Sequence, residues 1–197
     1  MYAKISLKLA SFLKKRLIEI IGIVITFFSI FLFLALISYA PDDPNFWYPK
    51  TKIIKNLFGF RGSVVADFGI QSIGIMAFLF SVNIFFWGIQ ILKAKNFNNL
   101  ITKVFFSNIY IASGTTAISI YQDQSFWLID NGNGGFVGRI FKELIFNYTN
   151  FSESYYLLIF LTFITFVFFV LSIELKINHM LKIFKIFNLF NKNKKIY

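Results

Sequence analysis

The groups in this sequence that could carry out proton-transfer, nucleophilic or metal chemistry are few and poorly placed for it. Asp42, Asp43, Asp123, Asp130 and Glu143 lie in polar stretches with no histidine or cysteine beside them. General acid–base catalysis needs a positioned partner within hydrogen-bond reach, and no such constellation stands out. The one histidine, His179, has no ligand partner near it in sequence. There are no cysteines, which removes disulfides, iron–sulfur clusters and thiolate zinc sites. The glycines of "NGNGGFVGRIF" (Gly132, Gly134, Gly135 and Gly138) superficially suggest a phosphate cradle. A P-loop, however, requires G-x-x-x-x-G-K-[ST] between a strand and a helix, and the sequence has no Gly-Lys pair. Neither a catalytic centre nor a cofactor or metal site is expected.

Composition points elsewhere. The chain of 197 residues is 57% hydrophobic, 21% aromatic and only 15% charged, with a mean hydropathy of +0.66. Soluble domains are nearer 45–50% apolar, so the chain reads as an integral membrane protein. A span needs about 20 residues to cross roughly 30 Å of hydrocarbon. Four apolar runs meet that length, at about 17–40, 68–92, 104–121 and 155–175. A helix satisfies its own backbone polar groups in lipid, and the expectation is an all-α integral membrane fold of four transmembrane helices. The first run follows a basic segment and ends in Ser38-Tyr39-Ala40, features shared with signal peptides. It is too long for an h-region of 7–15 residues, and Pro41 would follow the cut, so it reads as a retained span.

Lysine and arginine set the orientation, because they resist translocation. Fourteen fall in the N-terminal segment, the 93–103 turn and the tail, against six in the loops 41–67 and 122–154. Both termini are therefore expected in the cytoplasm, with the two longer loops facing outward. The net charge of +11 is mostly this signature and no indication of nucleic-acid binding. Residues 176–197 have Asn178, Lys182, Lys185 and Lys192 on one helical side and Ile177, Met180, Leu181, Phe184 and Phe187 on the other. That pattern suits an amphipathic tail on the inner leaflet.

The outward loops hold the informative residues. In "YAPDDPNFWYP", Pro41, Pro44 and Pro49 fix φ and stop the first helix. Asp42 and Asp43 are expected just beyond it, exposed, with Tyr39, Phe46, Trp47 and Tyr48 in an interfacial aromatic belt. In "NLFGFRGSVVAD", after Asn56, Gly59 and Gly62 permit a tight turn or close approach. Asp67 is expected to cap or charge-complement the start of the second span. The glycine run should form a compact turn into a short outward interfacial helix, Phe136 to Phe146.

The third run concentrates small residues, Ala112, Ser113, Gly114, Thr116 and Ala117 among them. Such residues let helix backbones approach, so this should be a central helix, packed either within one chain or between subunits. A transporter or channel subunit is the alternative reading. It would need ionisable groups inside the membrane, where the sequence offers the amides Gln71, Asn83, Gln90 and Asn108, with Glu19 and Asp67 toward the edges. Amides serve helix packing equally well.

The order of these features resembles a known family. "SYAPDDPNF" resembles the Ser-Tyr-x-Pro-x-Asp-Pro-Ser segment after the first span in the N-terminal four-helix membrane domain of the FtsK/SpoIIIE DNA translocases. "NLFGFRGSVVADFGIQSIGIMAF" is similar to that family's Asn-x-x-Gly-x-x-Gly-Ala-x-x-Ala-Asp approach to the second span, with Ser63 where alanine is expected. "GNGGFVG" resembles its Gly-x-Gly-Gly-x-x-Gly outward turn. The resemblance runs over roughly residues 10 to 180. It implies an inner-membrane anchor acting in cell division and chromosome segregation, which self-associates and contacts division-site membrane proteins and lipids. Tyr39, Pro41, Asp42, Asp43, Pro44, Asn56, Gly59, Gly62, Asp67, Gly132, Gly134, Gly135 and Gly138 are its motif residues and candidate partner contacts. The family's linker, ATPase and DNA-reading winged helix find no match in these residues. The expectation is thus an anchor without its own motor, served by a separate motor chain and making no direct contact with nucleic acid.

Overall fold

The computed structural model describes residues 2–46, 53–97, 99–122, 131–148 and 155–174, with side chains from residue 8 onward. Trp47, Tyr48, Pro49, Asp123, Asp130, His179 and the expected tail 176–197 lie outside the described residues. Within them the chain forms six helices: α1 Tyr2–Ile37, α2 Gly59–Ile73, α3 Met76–Ala94, α4 Leu100–Tyr121, α5 Gly135–Tyr148 and α6 Tyr155–Ser172.

Three of these, α1 over Lys8–Ile37, α3 and α6, are long and apolar enough to cross a membrane. The 22 residues of α4 would reach about 33 Å at 1.5 Å per residue, but Ser107, Ser113, Thr115, Thr116 and Ser119 dilute its apolar content. All five of those side chains are buried.

Two boundaries differ from the sequence reading. The first helix begins at Tyr2, so the basic segment before Leu17 continues it. With 36 residues α1 is about 54 Å long, well beyond a bilayer's hydrocarbon thickness. Its Glu19 pairs with Lys95, just past the end of α3, at 2.6 Å and with Arg16. The turns before Glu19 therefore project past that end of the bundle. The second difference is that the run 68–92 is not one helix. It breaks at Gly74 and Ile75 into α2 and α3.

The helices pack as two antiparallel pairs. In α1 and α3, Gly22 lies against Leu92 and Gly88 against Thr26. A Cβ on Gly88 would stand 2.9 Å from the Thr26 amide nitrogen, a separation no side chain tolerates. In α4 and α6, Tyr110 meets Phe169 edge-on at 5.4 Å, Phe106 meets Phe168 at 5.6 Å, and the hydroxyls of Ser113 and Thr165 are 2.9 Å apart. Helix α5 packs on α4 and α2, and α2 on α1. The core gathers at one end, where Leu32, Ala35 and Leu36 of α1 meet Ala66 and Ile70 of α2 and Ala77 of α3. Between the pairs, α3, α4 and α6 border an open apolar groove of about 620 Å³, walled by Met76, Leu79, Gly114, Ala117 and Phe166. Helix α6 otherwise turns its phenylalanines outward, with Phe160, Phe163 and Phe166 exposed.

Candidate functional site

The motif residues meet at the end of the bundle where α1 stops, here called the proline end. Pro41 and Pro44 cannot continue a helix, and the chain turns at once, with the Asp43 amide bonded to the Ala40 carbonyl at 3.0 Å. The turn swings the Asp43 carboxylate onto the strand-like approach to α2. There it accepts the backbone N–H groups of Lys55 and Asn56, each at 2.9 Å.

Asn56 then bridges the two helices. Its amide nitrogen donates to the Ala35 carbonyl at 2.8 Å and the Ser38 carbonyl at 3.3 Å, while its Oδ1 accepts the Phe58 amide at 3.1 Å. A helix end leaves its last carbonyls without intrahelical partners, and here a side chain 18 to 21 residues onward supplies them. Gly62 faces Asn56 so closely that a Cβ would overlap Oδ1. The Ser63 hydroxyl donates to the Pro44 carbonyl. Tyr39 donates its hydroxyl to Asp67 at 3.2 Å, and Asn45 its amide to the other Asp67 oxygen at 3.1 Å. We call this the proline lock.

It corrects two expectations. Asp43 is buried, only 8% exposed, because backbone N–H groups satisfy its carboxylate; Asp42 alone is exposed, 3.8 Å from Lys55. Asp67 does not start a helix: α2 begins eight residues earlier at Gly59, whose φ is +61°, and Asp67 clamps the α1 exit from the middle of α2. Tyr39, Asp43, Pro44, Asn56, Gly62 and Asp67 thus share one cluster, with Pro41, Asp42 and Gly59 at its turns.

The second set, Gly132, Gly134, Gly135 and Gly138, lies at the same end against a different surface. A broken helix at membrane depth needs new partners for its freed backbone groups. At the α2–α3 break the Gly74 amide bonds the Ile70 carbonyl at 2.7 Å, and the Ile75 amide takes the Asn133 carbonyl at 3.0 Å. Asn131 adds a side-chain bond to Gln71 at 2.7 Å. Gly74 and Gly135 have φ of +59° and +67° and meet backbone to backbone. Gly134 and Gly138 rest on Ser119 and Thr115 of α4, where a Cβ on either would overlap the Ser119 hydroxyl. The glycine turn is therefore a plug that fills the helix break and ties α2, α3 and α5 to α4.

The opposite end, marked by Lys95 and Lys103, carries a third cluster. Asn83 donates to the Ser172 hydroxyl at 2.8 Å, which in turn donates to the Lys103 carbonyl at 3.1 Å. Trp87 Nε1 donates to the Ser172 carbonyl at 3.0 Å, and Gln90 to that of Ile173. Lys103 Nζ sits 2.6 Å from Gln90 Oε1 and 3.0 Å from a Glu174 oxygen, whose partner oxygen accepts Asn99 at 3.1 Å. Lys103, counted in sequence as one more loop cation, is buried. Trp87, Ser172 and Glu174 had no sequence signal beyond a polar atom at the margin of an apolar run. Asn83 and Gln90 drew attention as possible transport residues, and both direct their amide donors to the end of α6.

The small residues of α4 divide similarly. Ser113 binds Thr165, and a Cβ on Gly114 would meet Met76 Cε at 2.6 Å. Thr116 and Ala117 are buried and Ala112 is partly so. Within one chain they pack against α3 and α6, and Gly114 and Ala117 also border the open groove. Among the described residues no group of three or more His, Asp or Glu side chains could hold a metal ion.

The comparisons with known proteins agree with the family resemblance. The family model described as the 4TM region of DNA translocase FtsK/SpoIIIE matches residues 14–181. The DNA translocase FtsK of Rickettsia bellii is 32% identical over 127 residues, which are 64% of this chain and 16% of that protein. That of Rickettsia prowazekii is 29% identical over 129 residues, 66% and 16%, and that of Bradyrhizobium diazoefficiens 21% over 126 residues, 64% and 15%. The matched stretch is thus a small part of each relative's length. No solved structure matches the chain. With a family model covering most of its length, this chain belongs to the family of the FtsK/SpoIIIE 4TM membrane region.

Proposed function

We propose that the chain is the inner-membrane anchor and self-association module of an FtsK-type DNA translocase, acting at the division site. In this reading α1, α3, α4 and α6 span the bilayer, both termini are cytoplasmic, and the proline end faces outward. The lysines around residues 93–103 and before Glu19 support that orientation, since they gather at the opposite end. The function is positional. Partners are membrane lipids, further copies of this chain, division-site membrane proteins and a motor that acts on DNA, without nucleic-acid contact by the anchor itself.

The observation that carries the reading is the family match over residues 14–181 together with the proline lock. The lock employs the residues that resemble the family's motif to fix the described ends of the loop, residues 39–46 and 53–58, on α1 and α2, with Asp42 exposed beside it. A catalytic reading gains nothing here, because the matched region is the membrane region of the family and Asp43, Asn83 and Gln90 are engaged in bonds between elements.

The test is imaging of this chain with a C-terminal fluorescent reporter in dividing cells. Accumulation at the division site supports the anchor. An even membrane distribution of an intact, correctly inserted fusion overturns it. Reporter fusions after residues 46, 97, 122 and 174 test the topology separately: alternating sides of the membrane fit four spans, and two consecutive sites on one side refute them.

A further inference from the structure

Helix α1 carries two rows of side chains that part company where α3 ends. Within the bundle its inward row includes Ile18, Gly22 and Ser29, all buried, and its outward row Ile20, Val24 and Phe27, all exposed. Steps of three and four residues keep each row on one helical side. Traced by those steps toward the N-terminus, the inward row continues as Lys15, Ser11 and Lys8, with Lys14 beside it. The outward row continues as Leu17, Leu13 and Leu9, with Phe12 beside it. The inward change has a plain cause. Lys95 is the C-cap of α3 and pairs with Glu19, and every side chain from Lys8 to Leu17 is exposed, so basic residues replace the small and apolar ones. The outward row makes no such change: Leu9, Phe12, Leu13 and Leu17 are each more than half exposed.

In water that stripe would be costly, whereas its continuity with the lipid-facing side of a span identifies what lies alongside it. The length of the helix permits this. From Leu9 to Ile37 it rises about 42 Å at 1.5 Å per residue, against roughly 30 Å of hydrocarbon and 40–45 Å with the headgroups. Tilted by about 20–40°, within the range that spans adopt, the same stretch covers about 32–40 Å of bilayer depth and keeps Leu9 at headgroup level. Charge names the lipid. Glu19 is the one acid before Asp42, and Arg16 and Lys95 both bind it. Arg16 also lies over the Phe12 ring and is set aside. Lys8, Lys14 and Lys15 have no ion pair or ring contact among the described residues. They stand opposite the leucines on the helix, the arrangement of a helix lying in an interface, and their stems are long enough to carry the ammonium groups to phosphate. Three such cations with no acid left to balance them complement an anionic headgroup layer.

We propose that residues 8–17 of α1 form a binding segment for anionic phospholipid in the leaflet at the end marked by Lys95 and Lys103. Leu9, Phe12, Leu13 and Leu17 lie on the acyl chains, and Lys8, Lys14 and Lys15 engage the phosphates. The segment thereby sets the tilt of α1 and the depth of the Glu19–Lys95 pair. The inference rests on α1 spanning the bilayer, as proposed above.

The experiment uses the full chain in lipid vesicles. The sequence has no cysteine, so single spin labels can be placed at Leu13→Cys on the outward row, Ser11→Cys on the lysine row and, as a control within the span, Phe27→Cys. Relaxation by oxygen reports lipid contact, and relaxation by a nickel chelate reports water. In vesicles containing anionic lipid the expected result is an oxygen-rich label at 13, about 5–10 Å into the interface, a nickel-accessible label at 11, and the deepest label at 27. Adding K8Q, K14Q and K15Q together should move the 13 label toward water in those vesicles and leave it unmoved in purely zwitterionic ones, while K8R, K14R and K15R together should behave as the parent. A 13 label as nickel-accessible as the 11 label, with 27 still deep, overturns the inference and leaves the span standing. A 27 label in water overturns the span itself. A 13 label shielded from both reagents means that protein rather than lipid covers the outward row, and a triple glutamine variant that matches the parent in anionic vesicles refutes the phosphate contact.

Discussion

The two ends of the bundle are tied by the same kind of chemistry, yet they are built differently. In the proline lock the bonds between segments reach 12 to 28 residues along the chain, as from Asp43 to Lys55 and Asn56, from Asn56 to Ala35 and from Tyr39 to Asp67. At the lysine end the bonds to the end of α6 join residues 69 to 89 apart in sequence, as from Ser172 to Lys103 and from Asn83 to Ser172. A local lock leaves a contiguous motif, because turn residues and their acceptors must follow one another. A distant lock leaves only isolated polar residues inside apolar runs. The first kind fixes a loop on a helix end and the second holds two helix pairs together.

The largest break should come from Asp43→Ala. It strands the buried backbone N–H of Asn56 at roughly 1–3 kcal/mol and the partly buried one of Lys55 at less, so thermal unfolding in detergent should show a loss of about 2–4 kcal/mol. Gly74→Ala should follow at roughly 2–4 kcal/mol, since an L-residue pays for positive φ and its Cβ would overlap the Asn133 carbonyl. Lys103→Met removes bonds to Gln90 and Glu174. Because Glu174 remains partly solvated, the loss should be nearer 1–2 kcal/mol, and cysteine crosslinking between α3 and the end of α6 should become less efficient. Asn83→Leu should cost about 0.6 kcal/mol, the typical worth of an interhelical hydrogen bond in a bilayer, with no change in ion or solute flux; a loss of flux with normal assembly would revive the transporter reading. Asp42→Asn should leave stability unmoved, as its partner Lys55 is exposed and 3.8 Å away, while weakening division-site accumulation if Asp42 is a partner contact. Equal destabilisation by Asp42→Asn and Asp43→Ala would sink the distinction between the adjacent acids on which the proline lock depends.

Several of these features were legible before the structure. Apolar runs at spanning length located the helical segments, and the small residues of the third run marked α4 as central. The glycine spacing foretold a turn into a short helix, observed as α5. Adjacent acids were harder: Asp42 and Asp43 have the same chemistry, and only the direction of one turn decides which meets the amides of Lys55 and Asn56. The break at Gly74 was also hidden. A glycine within an apolar run is compatible with a continuous helix, and the group that satisfies the interrupted backbone, the Asn133 carbonyl, lies 58 residues away. The close crossing at Gly22, Thr26 and Gly88 gave no pattern within one segment because its halves belong to α1 and α3.

By itself the sequence determined that the chain is helical and apolar, where α1 must stop, and which motifs stand in the order of the FtsK/SpoIIIE family. Hydrophobicity and proline sterics are properties of neighbouring residues, and they act before any long-range contact forms. Tertiary structure decided which polar groups are buried, where an apolar run is interrupted, and which side of α5 is left exposed. Those outcomes depend on hydrogen-bond partners and packing surfaces brought from distant segments, and a backbone amide is satisfied or stranded only once they arrive.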